Sequence, residues 1–326
     1  MTDFIYIYNT ILFNKIDFIK NNAKIKKFNS QICNECNKIF NQKFVFNKFK
    51  FTSYQYHQFI YHSKINPILY ENLCKLNIDN INYSFSLLHS NNINIIDGIY
   101  EEGSYNIFIN KNKNLFNTDK FNFSEHSGFI IFNADIVDKV VVLNNYRTDK
   151  EDPTIFLPKN NIEALSVHYI FHTHPKTPEL FSRFINDNIL YEFPSLNDIY
   201  HFIDHHNRGI LNGSLVITPE GIYNIRKKTF NEKKIIIDED IFDNLMNDVF
   251  LDCYKKSYDK YYKIKFNENN FYKHIATNLE FLKNINSVLE KFDITIDYIC
   301  RVKSKKINND YKSKWIIPNF YLPIIN

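Results

Sequence analysis

Cysteine is scarce in this sequence, and its count is odd. The chain has 326 residues and 5 Cys, which are too few and too uneven for a disulfide framework. This usage is typical of a reducing compartment. We therefore expect cytoplasmic or nuclear residence.

One closely spaced cysteine pair, Cys33 and Cys36, has the C-x-x-C form of half a zinc knuckle or a redox pair. A zinc ribbon needs a second such pair, and only Cys74, His57 and His62 lie nearby in the sequence. Two small buried or free thiols are the favoured interpretation.

Long apolar runs are also missing. The opening stretch Phe4–Phe13 is apolar, but Asp3, Lys15 and Asp17 bracket it. No run reaches the roughly eighteen apolar residues of a membrane span, and no small-residue cleavage site follows. We expect neither a signal peptide nor a membrane partner.

Glycine and proline are rare, at 6 and 9 residues, whereas Phe and Tyr number 31 and 22. With abundant Asn, Ile and Lys, this imbalance indicates a strongly biased, AT-rich genome. A hydrophobic content of 44% with 23% charged residues predicts a folded globular protein. The length predicts two or three folding units.

Charge is distributed unevenly along the chain. Residues 1–70 hold ten lysines and three acids, a net charge of +7 within a total of +4, so the remainder carries about −3. A basic, aromatic-rich segment can contact nucleic acid. A solvated lysine-rich surface is the favoured interpretation, and nucleic-acid binding remains the alternative.

The sequence divides into three regions. Residues 1–90 mix short apolar runs with Asn and Lys and predict an accessory N-terminal region with a helix near Asn66–Leu76. Residues 91–230 carry strand-like runs and turn signals, which predict an α/β domain. Residues 231–326 predict a mainly helical C-terminal region, whose helices could bind protein partners.

Helical apolar spacing in that last region covers Ile241–Tyr261 and Asn270–Phe292. A final strand is predicted over Ile294–Val302. We interpret this region as a helical appendage to the central domain.

The central region should begin with strands. Its lead-in, Asn94–Phe123, is strand-like, with Gly98 and Gly103 as turn signals. The apolar run Phe129–Phe132 predicts a buried strand that returns over Ile136–Leu143. Glu125 then lies at the mouth of this hairpin.

Two histidines, His172 and His174, follow the next predicted strand, Val167–Phe171. Residues i and i+2 of an extended chain point to the same side, so both imidazoles can reach one ion. Pro175 then ends the strand because it cannot donate to a ladder. Taken alone, such a pair is more often a surface or hydrogen-bonded feature.

Ser195 and Asp198 begin an amphipathic helix that ends near Gly209. Ser195 is the predicted N-cap, with Asp198 as the N3 acid of a capping box. A hairpin over Gly213–Arg226 closes the domain. Asp204, His205 and His206 form a second polar cluster, for which a favourable position at the helix end is the expected role.

Together, these scattered residues meet the needs of a hydrolytic zinc site. A catalytic zinc keeps three protein ligands and one open position, and it lowers the pKa of a bound water from about 9 to about 7. His172, His174 and Asp198 can supply the ligands. Glu125 can carry a proton from water to a leaving amine, and Ser195 can donate to a developing oxyanion.

In this order, the same residues resemble the JAMM (MPN or JAB domain) metalloprotease family. Glu125-x-x-Gly128 is similar to its opening strand, His172-Thr173-His174-Pro175 to its centre and Ser195-x-x-Asp198 to its close. The resemblance covers roughly residues 120–227. It implies an MPN-like, cytidine deaminase-like sheet flanked by helices, one catalytic Zn²⁺, and cleavage of a ubiquitin or ubiquitin-like conjugate by metal-activated water.

One departure is the spacing, since twenty residues separate His174 from Ser195, about thirteen more than is usual in the family. Added loop residues cost little entropy, so this insertion can loop out as a lid or groove wall. If it does not, Asp198 is only a capping acid. The insertion is similar to that of JAB-like proteins of large DNA viruses, for which the host cytoplasm or virion is the expected location.

Three alternatives to a deubiquitinase-like metalloprotease stay open. The chain could be a non-catalytic MPN scaffold, although all five motif positions are filled. It could be a nucleic-acid-associated accessory protein that uses its basic N-terminal region. A barrel hydrolase with a His-x-His motif is disfavoured, because no further metal ligands are evident on later strands.

Overall fold

A computed structural model describes most of the chain from residue 65 onward. The described ranges are 65–75, 83–102, 124–133, 136–147, 165–174, 191–264, 267–304 and 315–325. The predicted Cys33–Cys36 pair, the basic segment and most of the insertion after His174 lie outside these ranges.

Five helices of nine or more residues, ten strands and three short helical turns make up the described structure. The helices are α1 (Pro67–Lys75), α2 (Ser90–Glu102), α3 (Leu196–Arg208), α4 (Glu239–Tyr261) and α5 (Glu280–Leu289). The strands are β1 (Tyr83–Leu88), β2 (Ser124–Asn133), β3 (Ile136–Arg147), β4 (Tyr169–Thr173), β5 (Gly213–Ile217), β6 (Gly221–Lys227), β7 (Ile294–Cys300), β8 (Val302–Lys303), β9 (Trp315–Ile316) and β10 (Phe320–Ile325). Short helical turns cover Glu268–Asn270, Phe271–Ile275 and Glu290–Phe292.

The central sheet is six-stranded and mixed, in the order β3-β2-β4-β5-β6-β7. All neighbouring strands are antiparallel except β4 and β5. A parallel pair of strands needs a crossover connection. Helix α3 lies within the connection that joins β4 to β5. The end of β4, the end of β5 and the start of β2 therefore meet at one edge of the sheet, beside the N-terminus of α3.

Both faces of the sheet are covered. Successive side chains of each strand point alternately into two apolar clusters, one on each face. Phe129, Ile170 and Val216 face a cluster that contains residues of α3, α4 and α5. Their neighbours Ile130 and Phe171 face the other cluster, with residues of α2 and β10. This period of two puts His172 and His174, like Ile170, on the α3 face.

Strand β2 lies unusually close to its neighbours β3 and β4 at Gly128. A Cβ at Gly128 would lie 2.0 Å from the Val141 carbonyl oxygen and 2.6 Å from the Phe171 ring. The β2–β3 register also shifts between His126 and Gly128. Only glycine fits here, just after the segment that carries Glu125.

Several predicted elements are confirmed. The β2–β3 hairpin, the strand before His172, the helix after Ser195 and the β5–β6 hairpin all form where the sequence indicates. The expectation of a mixed α/β fold with a sheet flanked by helices is met as well.

One expectation was wrong. Residues 94–102 of the predicted strand-like lead-in belong to helix α2, because Ile93, Ile96 and Tyr100 recur at helical spacing and are buried against the sheet.

The C-terminal region contributes strands as well as helices. The strand predicted over Ile294–Val302 forms as β7 and pairs with β6 in the central sheet, whereas β10 pairs with β1 in a separate two-stranded sheet.

None of the helices in the described ranges combines the length and apolar composition that a membrane span requires.

Candidate metal centre

Three side chains converge at the edge where β4 ends and α3 begins. The Nε2 atoms of His172 and His174 are 3.1 Å apart. Asp198 Oδ1 lies 3.1 Å from His172 Nε2, and Asp198 Oδ2 lies 3.5 Å from His174 Nε2. One nitrogen of each imidazole and the carboxylate therefore face a common point.

These separations fit a tetrahedral metal site. Zinc bonds to imidazole nitrogen and carboxylate oxygen of about 2.0–2.2 Å place neighbouring ligand atoms about 3.3 Å apart. One ligand atom from each residue lies within 4.8 Å of the others. Asp198 Oδ1 is buried and accepts no hydrogen bond, so this oxygen has a lone pair available for an ion. Two imidazoles and one carboxylate fit zinc, with a fourth position for water.

The Asp198 carboxylate is held in place by Ser195 in a complete capping box. The Ser195 N–H and hydroxyl both donate to Asp198 Oδ2, at 2.6 and 2.8 Å, and the Asp198 N–H donates back to Ser195 Oγ at 3.2 Å. The predicted cap and the predicted ligand are thus compatible, because Oδ2 accepts the Ser195 hydrogen bonds while Oδ1 faces His172. In this arrangement the Ser195 hydroxyl proton points to Asp198, and its oxyanion role stays a prediction.

Electrostatics favour an ionised carboxylate at Asp198. Burial on its own raises the pKa of this carboxyl group, but His172, His174 and the Ser195 hydrogen bond lower it to well below its usual range. A deprotonated Asp198 is the form that a metal ligand requires.

Glu125 lies at the start of β2, the strand that pairs directly with β4 and its histidines. In the β2–β4 ladder Ser127 is opposite His172, and the His126 N–H donates to Thr173 Oγ1 at 3.0 Å. Continuing this antiparallel register places Glu125 across from His174. Glu125 Oε2 is buried and has no hydrogen-bond partner.

Burial raises the pKa of Glu125 to about 7, with His172 lowering it and Asp198 raising it. A carboxyl group whose pKa lies near neutrality can both accept and release a proton. Glu125 therefore has the electrostatic character of a general base beside the histidine pair.

The histidine strand is fixed to its neighbour in the sheet. The His174 N–H donates to the Ile217 carbonyl at 2.8 Å, which extends the β4–β5 pairing by one residue. His172 is almost fully buried, whereas the His174 side chain is 13% exposed. Solvent therefore reaches the cluster on the His174 side.

Sequence inspection missed one acid near this edge, Glu220, in the β5–β6 turn. Its side chain is completely buried and its Oε1 accepts from the Glu192 N–H at 2.6 Å and from the Tyr223 hydroxyl at 2.8 Å. Burial and, as a smaller contribution, the neighbouring Glu192 charge raise its pKa to about 7. An acid in a Thr-Pro-Glu-Gly turn is ordinarily a surface residue, so no local signal could have identified it.

The second polar cluster of the sequence has structural partners. The Nδ1 atom of His206 lies 2.7 Å from the Leu211 carbonyl oxygen, and that of His205 lies 3.0 Å from the His201 carbonyl oxygen. Asp204 Oδ1 pairs with Arg208 Nε at 2.9 Å. These contacts secure the end of α3.

The fold and this cluster define a mixed α/β protein with a two-histidine, one-carboxylate centre at the edge of its sheet. The chain belongs to the same family as the uncharacterized protein R413 of Acanthamoeba polyphaga mimivirus. The two are 32% identical over 257 residues, which cover 77% of this chain and 69% of that protein. The sequence matches no protein-family profile. No solved structure matches it either.

Proposed function

We propose that this protein is a zinc-dependent isopeptidase or peptidase of the JAMM type, with an MPN-like central domain. The observation that carries the proposal is the convergence of His172, His174 and Asp198 at separations of 3.1–3.5 Å. Such a His₂Asp set with a free fourth position is typical of catalytic rather than structural zinc sites. The mixed sheet, with its cluster at the end of β4 and the start of α3, is in keeping with this class.

The residues of the site have the following proposed roles. His172 Nε2, His174 Nε2 and Asp198 Oδ1 hold the ion, which supplies an acidified water and polarises a carbonyl group when bound. Glu125 Oε2 accepts a proton from the attacking water and delivers it to the departing amine nitrogen. Ser195 keeps Asp198 Oδ1 turned toward His172 by donating to Oδ2.

The proposed substrate is a conjugate of ubiquitin or a ubiquitin-like protein, cleaved at the bond after the C-terminal glycine of the modifier. This substrate class follows from the motif resemblance. The His174 side, which is partly exposed, offers the approach to the centre.

Incubating the pure protein with a panel of ubiquitin and ubiquitin-like conjugates tests this function. We expect cleavage of at least one conjugate, loss of cleavage with a zinc chelator, and recovery when Zn²⁺ is restored. His174→Ala should be inactive, because it removes one of three ligands, whereas His274→Ala, at an exposed histidine, should retain full activity. Cleavage that survives chelation would contradict a metalloprotease, and a protein that neither binds zinc nor cleaves any conjugate would support the scaffold alternative.

A further inference from the structure

The metal centre is assembled from two chain segments that are far apart in sequence. His172 lies in β4 and His174 directly follows it, whereas Asp198 lies in the first turn of α3, after the segment Tyr191–Ser195, which we call the ligand arm. A site of this kind needs its ligands held to within about 0.5 Å. The placement of Asp198 therefore depends on the contacts that fix the ligand arm against the sheet.

The β5–β6 turn contacts both halves of the centre. On one side, the carbonyl of Ile217, which ends β5, accepts from the His174 N–H at 2.8 Å. On the other side, Glu220 Oε1 accepts from the Glu192 N–H of the ligand arm at 2.6 Å. One short turn thus links the histidine strand to the segment that delivers Asp198.

This turn is firmly anchored. The Pro219 carbonyl accepts from the Tyr272 hydroxyl at 3.0 Å and from Arg301 Nε at 3.2 Å. The Glu220 carbonyl accepts from the Tyr298 hydroxyl at 2.9 Å. The Tyr223 hydroxyl also holds the Glu220 carboxylate itself, so Glu220 presents its oxygen from a fixed position.

The ligand arm has side-chain anchors as well, but they lie on either side of this backbone bond. The Tyr191 hydroxyl donates to the Ile275 carbonyl at 2.9 Å. The Phe193 ring stacks on Tyr191 and packs against Tyr223. These contacts hold the two aromatic side chains, and the Glu192 N–H bond sets how the backbone between them lies against the turn.

We propose that Glu220 is a positioning residue of the metal centre, which holds the ligand arm in register so that Asp198 meets the two histidines. This inference rests on the proposed function. The Glu220 carboxyl group is fully buried, and its Oε2 has no hydrogen-bond partner. Burial without full pairing is costly, and such departures from local rules are expected at functional sites.

Zinc affinity is the measurement that tests this role. In Glu192→Pro the donor N–H is deleted, so we expect Zn²⁺ to bind about 10- to 100-fold more weakly, the usual loss when an outer contact of a metal ligand is removed. Glu192→Ala keeps the N–H and removes the charge that raises the pKa of Glu220, so its affinity should be at least that of the wild type. Competition with a chromophoric zinc chelator gives the affinities, and near-ultraviolet circular dichroism reports the fold of each variant.

A second pair of variants tests the acceptor. Glu220→Ala should weaken zinc binding like Glu192→Pro, and Glu220→Gln should restore it, since the amide oxygen can accept the same bond. Equal zinc affinity in Glu192→Pro and Glu192→Ala would overturn the positioning role while leaving the metal centre intact. A wild type that binds no zinc would overturn both this role and the proposed function.

Discussion

Glu125→Gln is expected to retain one equivalent of zinc while its hydrolytic rate falls by about 10²–10⁴-fold, the usual contribution of a positioned general base. Glutamine is close in size and can fill the same half-buried site at the start of β2. It cannot accept a proton at neutral pH, and Glu125 Oε2 makes no hydrogen bond that the substitution would break. Metal content by mass spectrometry and conjugate cleavage under single-turnover conditions measure the two effects separately.

An exposed acid provides the matched control for this variant. Glu232→Gln makes the same chemical change at an exposed residue, and both its metal content and its activity should equal those of the wild type. Undiminished cleavage in Glu125→Gln would remove Glu125 from the mechanism. Loss of zinc from this variant would instead indicate that Glu125 is a ligand rather than a base.

Asp297→Ala is expected to destabilise the protein by about 3–5 kcal/mol, because it leaves a buried arginine without its counter-charge. Arg226 and Asp297 are 1% and 0% exposed, and they form two hydrogen bonds of 2.7 and 2.9 Å between β6 and β7. Asn224 donates to the same carboxylate at 3.2 Å. Urea unfolding monitored by circular dichroism measures the loss.

Two further variants serve as controls for the expected effect of Asp297→Ala. Asp252→Ala breaks an exposed pair with Lys256 and should leave the unfolding midpoint unchanged. The double variant Arg226→Met with Asp297→Leu should recover most of the lost stability, since apolar residues of similar volume often replace a buried pair without cost. If Asp297→Ala unfolded at the same urea concentration as the wild type, the Arg226–Asp297 pair would not stabilise the contact between β6 and β7.

Local patterns predicted the parts of the fold that local chemistry determines. The buried run Phe129–Phe132 and the Thr218–Gly221 turn predict strands and a hairpin, and Ser195 predicts the start of α3. The partner of β7 could not be predicted, because a strand with Ile294, Ile296 and Ile299 can pair with any open sheet edge. Its pairing with β6 is decided by tertiary packing and by the buried Arg226 pair.

The candidate site likewise has parts that local sequence patterns predict and parts that depend on tertiary packing. The period of two in an extended chain is enough to place His172 and His174 side by side. The approach of Asp198 could not be derived, since residues 175–190 intervene and tertiary contacts must set the distance. Glu220 could not be identified for the opposite reason, because its local context is that of an exposed turn and its burial depends on tertiary contacts, including those with the ligand arm.

Zinc titration of the pure wild type and of Asp198→Asn tests the central claim most directly. Asparagine can still accept the Ser195 hydrogen bonds through its side-chain oxygen at the N3 position of the capping box, so the fold should persist while the anionic ligand is lost. We predict one zinc per wild-type chain and no stoichiometric zinc in Asp198→Asn. A wild type that binds no zinc, or an Asp198→Asn variant that binds it as tightly as the wild type, would contradict a metal centre at His172, His174 and Asp198.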